Sequence, residues 1–278
     1  QILIERKQYL LQLHNLKDQN IIKVITGVRR CGKSTLLMMF ANDIIKKGVD
    51  ANQIQFYNFE DLDILSIGDI YQIHTHIKER LIDDKMNYIF LDEVQNIKEF
   101  QRLVDSLYIK PNVDVYITGS NAYMLSGELA TLLTGRYVEI NILPLQFSEY
   151  YHFTLSKSPN LSRNEILANY IHFGGIPEYI KQLNNSEKQA DLFAQSILKT
   201  IVEKDIFQRL NITNKHDFNK ILDFILDSVG SYVSPRSISD TLRSNGTIVD
   251  KQTVAKYLDA LCEAYLIYKV PRFEIKGK

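Results

Sequence analysis

Cysteine is nearly missing from this 278-residue chain: Cys31 and Cys262, far apart in sequence, offer neither the spacing of a zinc site nor a disulfide framework. That fits a reducing compartment and implies no thiolate-bound metal. Net charge is missing too. Lys+Arg 33 balance Asp+Glu 33, so no whole-molecule field draws the protein onto nucleic acid or anionic lipid, and such binding needs a local patch. Long hydrophobic runs are lacking, and the opening Gln1-Ile-Leu-Ile-Glu-Arg-Lys7 is no signal peptide, which predicts a cytoplasmic protein without a membrane span. Internal repeats and low-complexity tracts are not found. The histidines have no ligand spacing: His74 and His76, two apart on one helix, do not share a face. No Cys–His or Ser–His–Asp arrangement can be argued. The chain begins without Met and ends on Phe273-Glu-Ile-Lys-Gly-Lys278, which predicts a fragment of a longer protein.

What is present is ordinary globular composition, 45% hydrophobic and 24% charged, enough for one large or two medium domains. Residues 21–142 alternate β-rich runs with helical patterns, the rhythm of an α/β parallel sheet covered by helices. Strands are expected at 21–26, 54–58, 88–92, 113–118 and 137–142, several of them continuously apolar as befits strands buried on both faces. Helices are expected at 33–47, 69–84 and 96–108. After Pro144 the strand signal stops; residues 144–232 read as helical, interrupted at 157–162 and by Phe173-Gly-Gly-Ile-Pro177.

Gly27-Val-Arg-Arg-Cys-Gly-Lys-Ser34 matches GxxxxGK[ST] between a buried strand and a helix. The loop Gly27, Val28, Arg29, Arg30, Cys31 and Gly32 can wrap phosphates with its amides. The helix beginning Lys33, Ser34, Thr35 points its positive end at the same anion. Lys33 is expected on the β and γ phosphates of ATP and Ser34 on Mg²⁺. Arg29 and Arg30 either steer nucleotide or are solvated. The strand 88–92 ends in Asp92 and Glu93. Asp92 is expected to hold the Mg²⁺ shell and Glu93 to orient and deprotonate the attacking water. The strand 113–118 carries small polar groups at its tip. If it lies between the strands of the phosphate loop and Asp92, then Thr118, Ser120 or Asn121 faces the γ-phosphate or that water; the alternative is a polar turn.

These motifs, with Leu133-Thr-Gly135-Arg136-Tyr137 before a fifth strand, together resemble an AAA+ ATPase. More narrowly, 125–136 followed by Leu143-Pro-Leu-Gln-Phe-Ser-Glu-Tyr150 resembles the bacterial and archaeal ATPases with a C-terminal domain of unknown function, relatives of the STAND and origin-recognition groups. The resemblance implies a P-loop sheet of order 5-1-4-3-2, a core over 1–142, a helical lid over 143–215 and a winged helix over 216–278. It implies that Arg136 is an arginine finger completing a neighbour's site in a homo-oligomer, the alternative being a helix-capping surface arginine. It implies that Gly174-Gly-Ile-Pro177 resembles the Gly-x-Pro motif that sets Pro177 near adenine; geometry at a helix start would also explain that motif. No second sensor arginine is evident. The resemblance implies that the leading Glu5-Arg-Lys-Gln-Tyr-Leu-Leu11 packs beside the base; its own pattern says only helix.

In the last unit the turn 244–246, a helix capped by Asp250 and the strand-like 265–270 have the shape of a winged helix. If it reads DNA, Lys251, Gln252, Thr253 and Lys256 face the groove. Residues 233–278 hold eight basic and five acidic side chains, a net of +3, which leaves DNA and protein partners both open. Tyr257, Tyr265 and Tyr268 read as core. The expected activity is Mg²⁺-dependent ATP hydrolysis, slow in an isolated monomer. Its rivals are a slow ATP/ADP switch, an effector activity in a further C-terminal segment with a nuclease-like fold, and a guanine-nucleotide protein. Against the last, Asn214-Lys-His-Asp217 has the base-reading spelling but no strand before it.

Overall fold

A computed structural model describes residues 4–122, 133–182, 187–212 and 214–271. The segment 125–132 of the resemblance motif lies outside them. The described chain forms two compact units, 1–194 and 195–278.

In the first unit, α1 (Lys7–Leu16) leads into β1 (Ile22–Thr26), α2 (Lys33–Lys46), β2 (Ile54–Asn58), the short α3 (Leu62–Leu65) and α4 (Ile70–Lys78). Then follow β3 (Asn87–Asp92), α5 (Phe100–Tyr108), β4 (Val113–Gly119) and β5 (Tyr137–Asn141). All strand pairs are parallel, and the order β2-β3-β4-β1-β5 is the expected 5-1-4-3-2 read from the other edge. Every residue of β1, β3 and β4 is buried, as central strands covered on both faces require.

Alternation along the strands sends Ile22, Val24, Ile89, Leu91, Val115 and Ile117 into one core with Ile73 and Ile77 of α4 and Leu103 and Leu107 of α5. On the other face Phe40 of α2 and Phe90 flank Tyr116 at ring-centroid distances of 5.3 and 4.8 Å. Lys23 is also fully buried here. It ion-pairs with Asp114, which accepts a hydrogen bond from Tyr116 Oη at 2.8 Å and from the Asp18 amide at 3.0 Å. Burial pushes Lys23 down and Asp114 up, and their mutual attraction opposes both shifts.

Two helices begin or end away from their expected limits. α4 stops at Lys78 because the next residues are turned back by Asn87, whose Nδ2 donates to the carbonyls of Ile82 and Lys85, both at 2.9 Å. α5 starts at Phe100 because Glu99 is left-handed, φ 57°, and only a 3₁₀ turn, Val94–Asn96, precedes it.

Beyond β5 come α6 (Phe147–Lys157), α7 (Arg163–Phe173), α8 (Pro177–Gln182) and α9 (Glu187–Thr200). The breaks match the expected interruptions. Gly175 lies where a Cβ would sit 2.4 Å from the Leu145 carbonyl oxygen, and its own carbonyl accepts from the Leu145 amide at 2.7 Å. Only glycine allows that approach.

The second unit takes the end of α9 through a π-helical stretch, Ile201–Phe207, and a last turn, Gln208–Leu210, into α10 (Lys215–Asp227), α11 (Pro235–Ser244) and α12 (Lys251–Glu263). Phe207, Phe218 and Tyr257 form its aromatic centre, with ring centroids 4.9 and 5.2 Å apart. Asn214 caps α10 by accepting from the Asp217 amide at 3.1 Å, which accounts for the Asn-Lys-His-Asp spelling as a helix start. Among the described residues, 265–271 form no strand, so the wing expected at 265–270 is not seen there. Tyr257 and Tyr265 are buried as expected. Tyr268 is half exposed beyond the last helix, its ring centroid 6.5 Å from that of Tyr265. Among the described residues no helix is long and apolar enough to cross a membrane.

Replacing Asp114 by Ala leaves the Lys23 ammonium buried without its carboxylate. Urea unfolding is expected to show a loss of about 3–5 kcal/mol, and Lys23→Met/Asp114→Leu to recover most of it. A single-variant loss under about 0.5 kcal/mol would show that the pair is structurally idle.

Candidate functional site

Parallel pairing aligns the carboxyl ends of the strands, with Thr26 opposite both Gly119 and Asn141, and Asn58 opposite Asp92. The phosphate-loop motif starts at that edge. At Gly27 φ is 144° and a Cβ would lie 2.3 Å from the Ile142 carbonyl oxygen, so the first position of the motif admits glycine alone. Gly32, φ 101°, precedes α2 without a side-chain cap, which leaves the first amides of the helix for an anion. Lys33 is buried and folded back on its own loop. Its Nζ donates to the Gly27 and Val28 carbonyls at 3.1 and 3.3 Å and stands 3.8 Å from Glu93 Oε1.

Asp92 is 1% exposed at the end of β3. Burial pushes its carboxyl up, while hydrogen bonds with the Thr118 and Ser34 hydroxyls hold it down. Thr118 also accepts from the Glu93 amide at 2.9 Å, so one hydroxyl braces both acids. Glu93 itself is left-handed, φ 55°, a strained backbone of the kind concentrated at functional sites. Gln95 Nε2 donates to Glu93 Oε2 at 2.5 Å and lies 3.4 Å from Ser120 Oγ. Ser120 and Asn121 are buried at the tip of β4, which stands between β1 and β3.

Pro177 lies over the loop: its Cγ is 3.8 Å from where a Cβ of Gly32 would be, and with Ile4, Thr35, Met39 and Leu145 it lines a mostly apolar cleft. Arg6, 5% exposed, joins three segments around that cleft. It donates from Nε to Glu149 Oε1 at 2.9 Å, from Nη1 to the Cys31 carbonyl at 3.3 Å and from Nη2 to the Leu143 carbonyl at 2.9 Å. The two loop arginines both have carboxylate partners. Arg29 lies 3.2 Å from Glu60, and Arg30 lies 3.0 Å from Glu178 with its guanidinium 5.3 Å from the Phe193 ring centroid.

Arg136 is brought to none of this. Its carbonyl accepts from the Ile22 amide at 2.8 Å, at the amino end of β1, and its side chain pairs with Asp105 at 2.7 Å. A five-residue strand separates it from the phosphate loop of its own chain, roughly 16 Å.

Ser34 and Asp92 offer hard oxygen donors side by side, which suits Mg²⁺ brought by nucleotide. Among the described residues there is no group of three or more His, Cys, Asp or Glu side chains that would hold a metal ion without it.

A profile of the AAA domain matches residues 19–151, and one of a domain of unknown function, DUF8612, matches 164–277. An uncharacterized protein of Haemophilus influenzae is 37% identical over 99% of the chain and 68% of its own length. The chain belongs to this AAA family. A second relative, the uncharacterized protein MJ1544 of Methanocaldococcus jannaschii, is 28% identical over 93% of the chain, which spans 58% of that relative. The Walker-type ATPase PABY2304 of Pyrococcus abyssi shares the fold, with a TM-score of 0.65 at 16% identity over 94% of this chain and 90% of that one.

Two residues of this AAA chain's site carry no sequence signal: Gln95 is one polar residue in a polar turn, and Arg6 one charge in a charged leader. Thr118 is legible from its place at a strand tip, but not its two hydrogen bonds, one donated to the Asp92 carboxylate and one accepted from the Glu93 amide.

Gly27→Ala forces the loop away from the Ile142 carbonyl. Titration with a fluorescent ATP analogue is expected to show at least a tenfold loss of affinity, equivalent to about 1.4 kcal/mol. Unchanged affinity would mean that the loop relaxes without consequence.

Proposed function

We propose that this protein binds ATP with Mg²⁺ at the Gly27–Thr35 loop and hydrolyses it. The observation that carries the reading is the meeting of Ser34, Asp92 and Glu93 in one set hydrogen-bonded through Thr118, with the Lys33 ammonium 3.8 Å from Glu93, at the carboxyl edge of the sheet. The loop amides and the start of α2 take the phosphates. Lys33 leaves the Gly27 and Val28 carbonyls for the β and γ oxygens. Ser34 and Asp92 would hold Mg²⁺, which would supply positive charge to the phosphate oxygens. Glu93 accepts a proton from water as the water oxygen bonds to the γ-phosphorus; the bond to the bridging oxygen breaks and its electron pair leaves on ADP. Ser120 and Asn121 border the same space. The apolar cleft under Pro177 suits the nucleobase.

Arg136, remote from its own loop, serves a neighbouring subunit's γ-phosphate in this reading. The C-terminal unit is a winged-helix-like module for DNA or a protein partner, in which Lys251, Gln252 and Lys256 are exposed on α12. A second reading, a slow ATP/ADP switch, is favoured by one observation: Glu93 is held between Lys33 and Gln95 rather than left open to water.

Turnover separates the two. Lys33→Ala is expected to weaken ATP affinity at least tenfold, and Glu93→Gln to keep affinity while turnover falls about 10²-fold. Wild type that binds ATP without measurable hydrolysis favours the switch. Arg136→Ala is expected to hydrolyse slowly, by a factor of ~10³ where the finger acts in trans, and mixing it with Lys33→Ala to recover part of the rate. Arg136→Ala turning over as fast as wild type at every protein concentration sinks the finger assignment.

A further inference from the structure

Gln95 sits in the 3₁₀ turn after the two acids, and the two ends of its amide have different surroundings. Nε2 donates to Glu93 Oε2 at 2.5 Å. Oε1 is fully buried and has no hydrogen-bond partner among the described residues. The orientation is dictated by chemistry, since turning the amide over would set its oxygen against a carboxylate, acceptor to acceptor. A buried amide oxygen without a partner is rare in folded proteins, and ordered water is a common reason for one. The position is also held tightly: Val94 before it is wholly buried, and Glu93 is fixed through its amide by Thr118.

We propose that Gln95 is a second water-holding residue of the hydrolytic site. The attacking water has two hydrogens. Glu93 takes one as the proton it removes; the other needs an acceptor if the oxygen lone pair is to face the γ-phosphorus, and Gln95 Oε1 is that acceptor. Nε2 meanwhile fixes the rotation of the Glu93 carboxylate. As the water oxygen bonds to phosphorus, the proton on Glu93's side passes to Glu93. The hydrogen on Gln95 stays with the oxygen and leaves on inorganic phosphate, and ADP carries away the electron pair of the broken bond. Ser120 Oγ, 3.4 Å from Nε2, limits the swing of the amide from the β4 side. This inference rests on the hydrolytic reading and adds to it the residue that orients the nucleophile.

The test compares wild type, Gln95→Met, Gln95→Glu, Glu93→Gln and the Gln95→Met/Glu93→Gln double variant. Single-turnover hydrolysis at saturating Mg²⁺ and ATP is measured alongside equilibrium affinity for a fluorescent non-hydrolysable analogue. Met keeps the volume and removes both polar ends; Glu keeps an acceptor and removes the donor. Gln95→Met is expected to lose about 30-fold in turnover with affinity changed less than twofold, and Gln95→Glu to lose less than Gln95→Met. The double variant is expected to be no slower than Glu93→Gln alone, because a water no longer deprotonated gains nothing from being oriented. A role confined to bracing the Glu93 carboxylate through Nε2 predicts that Gln95→Glu, which lacks the donor, loses as much as Gln95→Met, and a general structural role predicts affinity and turnover falling together; either result overturns the proposal. So does Gln95→Met at wild-type turnover. If wild type binds the analogue and hydrolyses nothing, the hydrolytic reading fails and Gln95's role with it. If wild type hydrolyses and Glu93→Gln does not, while Gln95→Met hydrolyses at the wild-type rate, only the Gln95 assignment falls.

Discussion

One buried carboxylate ties the site together. Asp92, nearly inaccessible at the end of β3, is bonded by the hydroxyl of Ser34 from α2 and by that of Thr118 from β4. An acid taken out of water is held in its charged form only by donors, and burial already pushes its carboxyl up. The two hydroxyls answer that cost, and each can do so only if its own element arrives in register. The strand order therefore has a chemical consequence: with β4 placed between β1 and β3, Thr118 comes between the phosphate loop and the acids. An order exchanging β4 with β2 would set Asn58 there instead, and Thr118 would stand on the far side of β3 from the phosphate loop.

What could be read from the residues alone follows from how local each cause is. The strands were visible because continuous apolar runs need no partner to announce them, and the loop because Gly27 and Gly32 have backbone conformations that few residues tolerate. Residue spacing did not contain the sheet order; that came with the resemblance. Helix ends depart from the residue pattern where a single residue imposes a tertiary choice, as at left-handed Glu99 or at the Asn87 side chain that fastens three carbonyls. The pairing of Lys23 with Asp114 has no signal in the sequence, since nothing along the chain relates residues 91 positions apart. Arg6 and Gln95 were silent for the same reason. Each owes its role to what folds against it, 25 residues away for the Arg6 contact with Cys31 and for the Gln95 contact with Ser120.

The cations around the site share a further property: each stands beside a carboxylate. Arg6 faces Glu149, Arg29 faces Glu60, Arg30 faces Glu178 and Lys33 faces Glu93. A triphosphate arriving here must compete with those acids, and the pairs differ in how firmly they hold. Arg6 is buried and also bonded to two backbone carbonyls, so it belongs to the scaffold. The Arg30 pair is well exposed on both sides and correspondingly weak. Lys33 and Glu93 are buried but stand 3.8 Å apart, beyond hydrogen-bond length, so the attraction is Coulombic and Lys33's hydrogen bonds go to neutral carbonyls.

That last spacing makes binding and arming a single event in the proposed reaction. A γ-phosphate offers Lys33 charged oxygens in place of the two carbonyls, and charge-assisted bonds are roughly twice as strong as neutral ones. Drawing Lys33 away takes the ammonium from its place 3.8 Å from Glu93 Oε1 and opens that oxygen to the water it must meet. Gln95 stays behind on the other carboxylate oxygen, so the base is released electrostatically while its orientation is kept. Phosphate recognition and access to the base thus meet at one ammonium group.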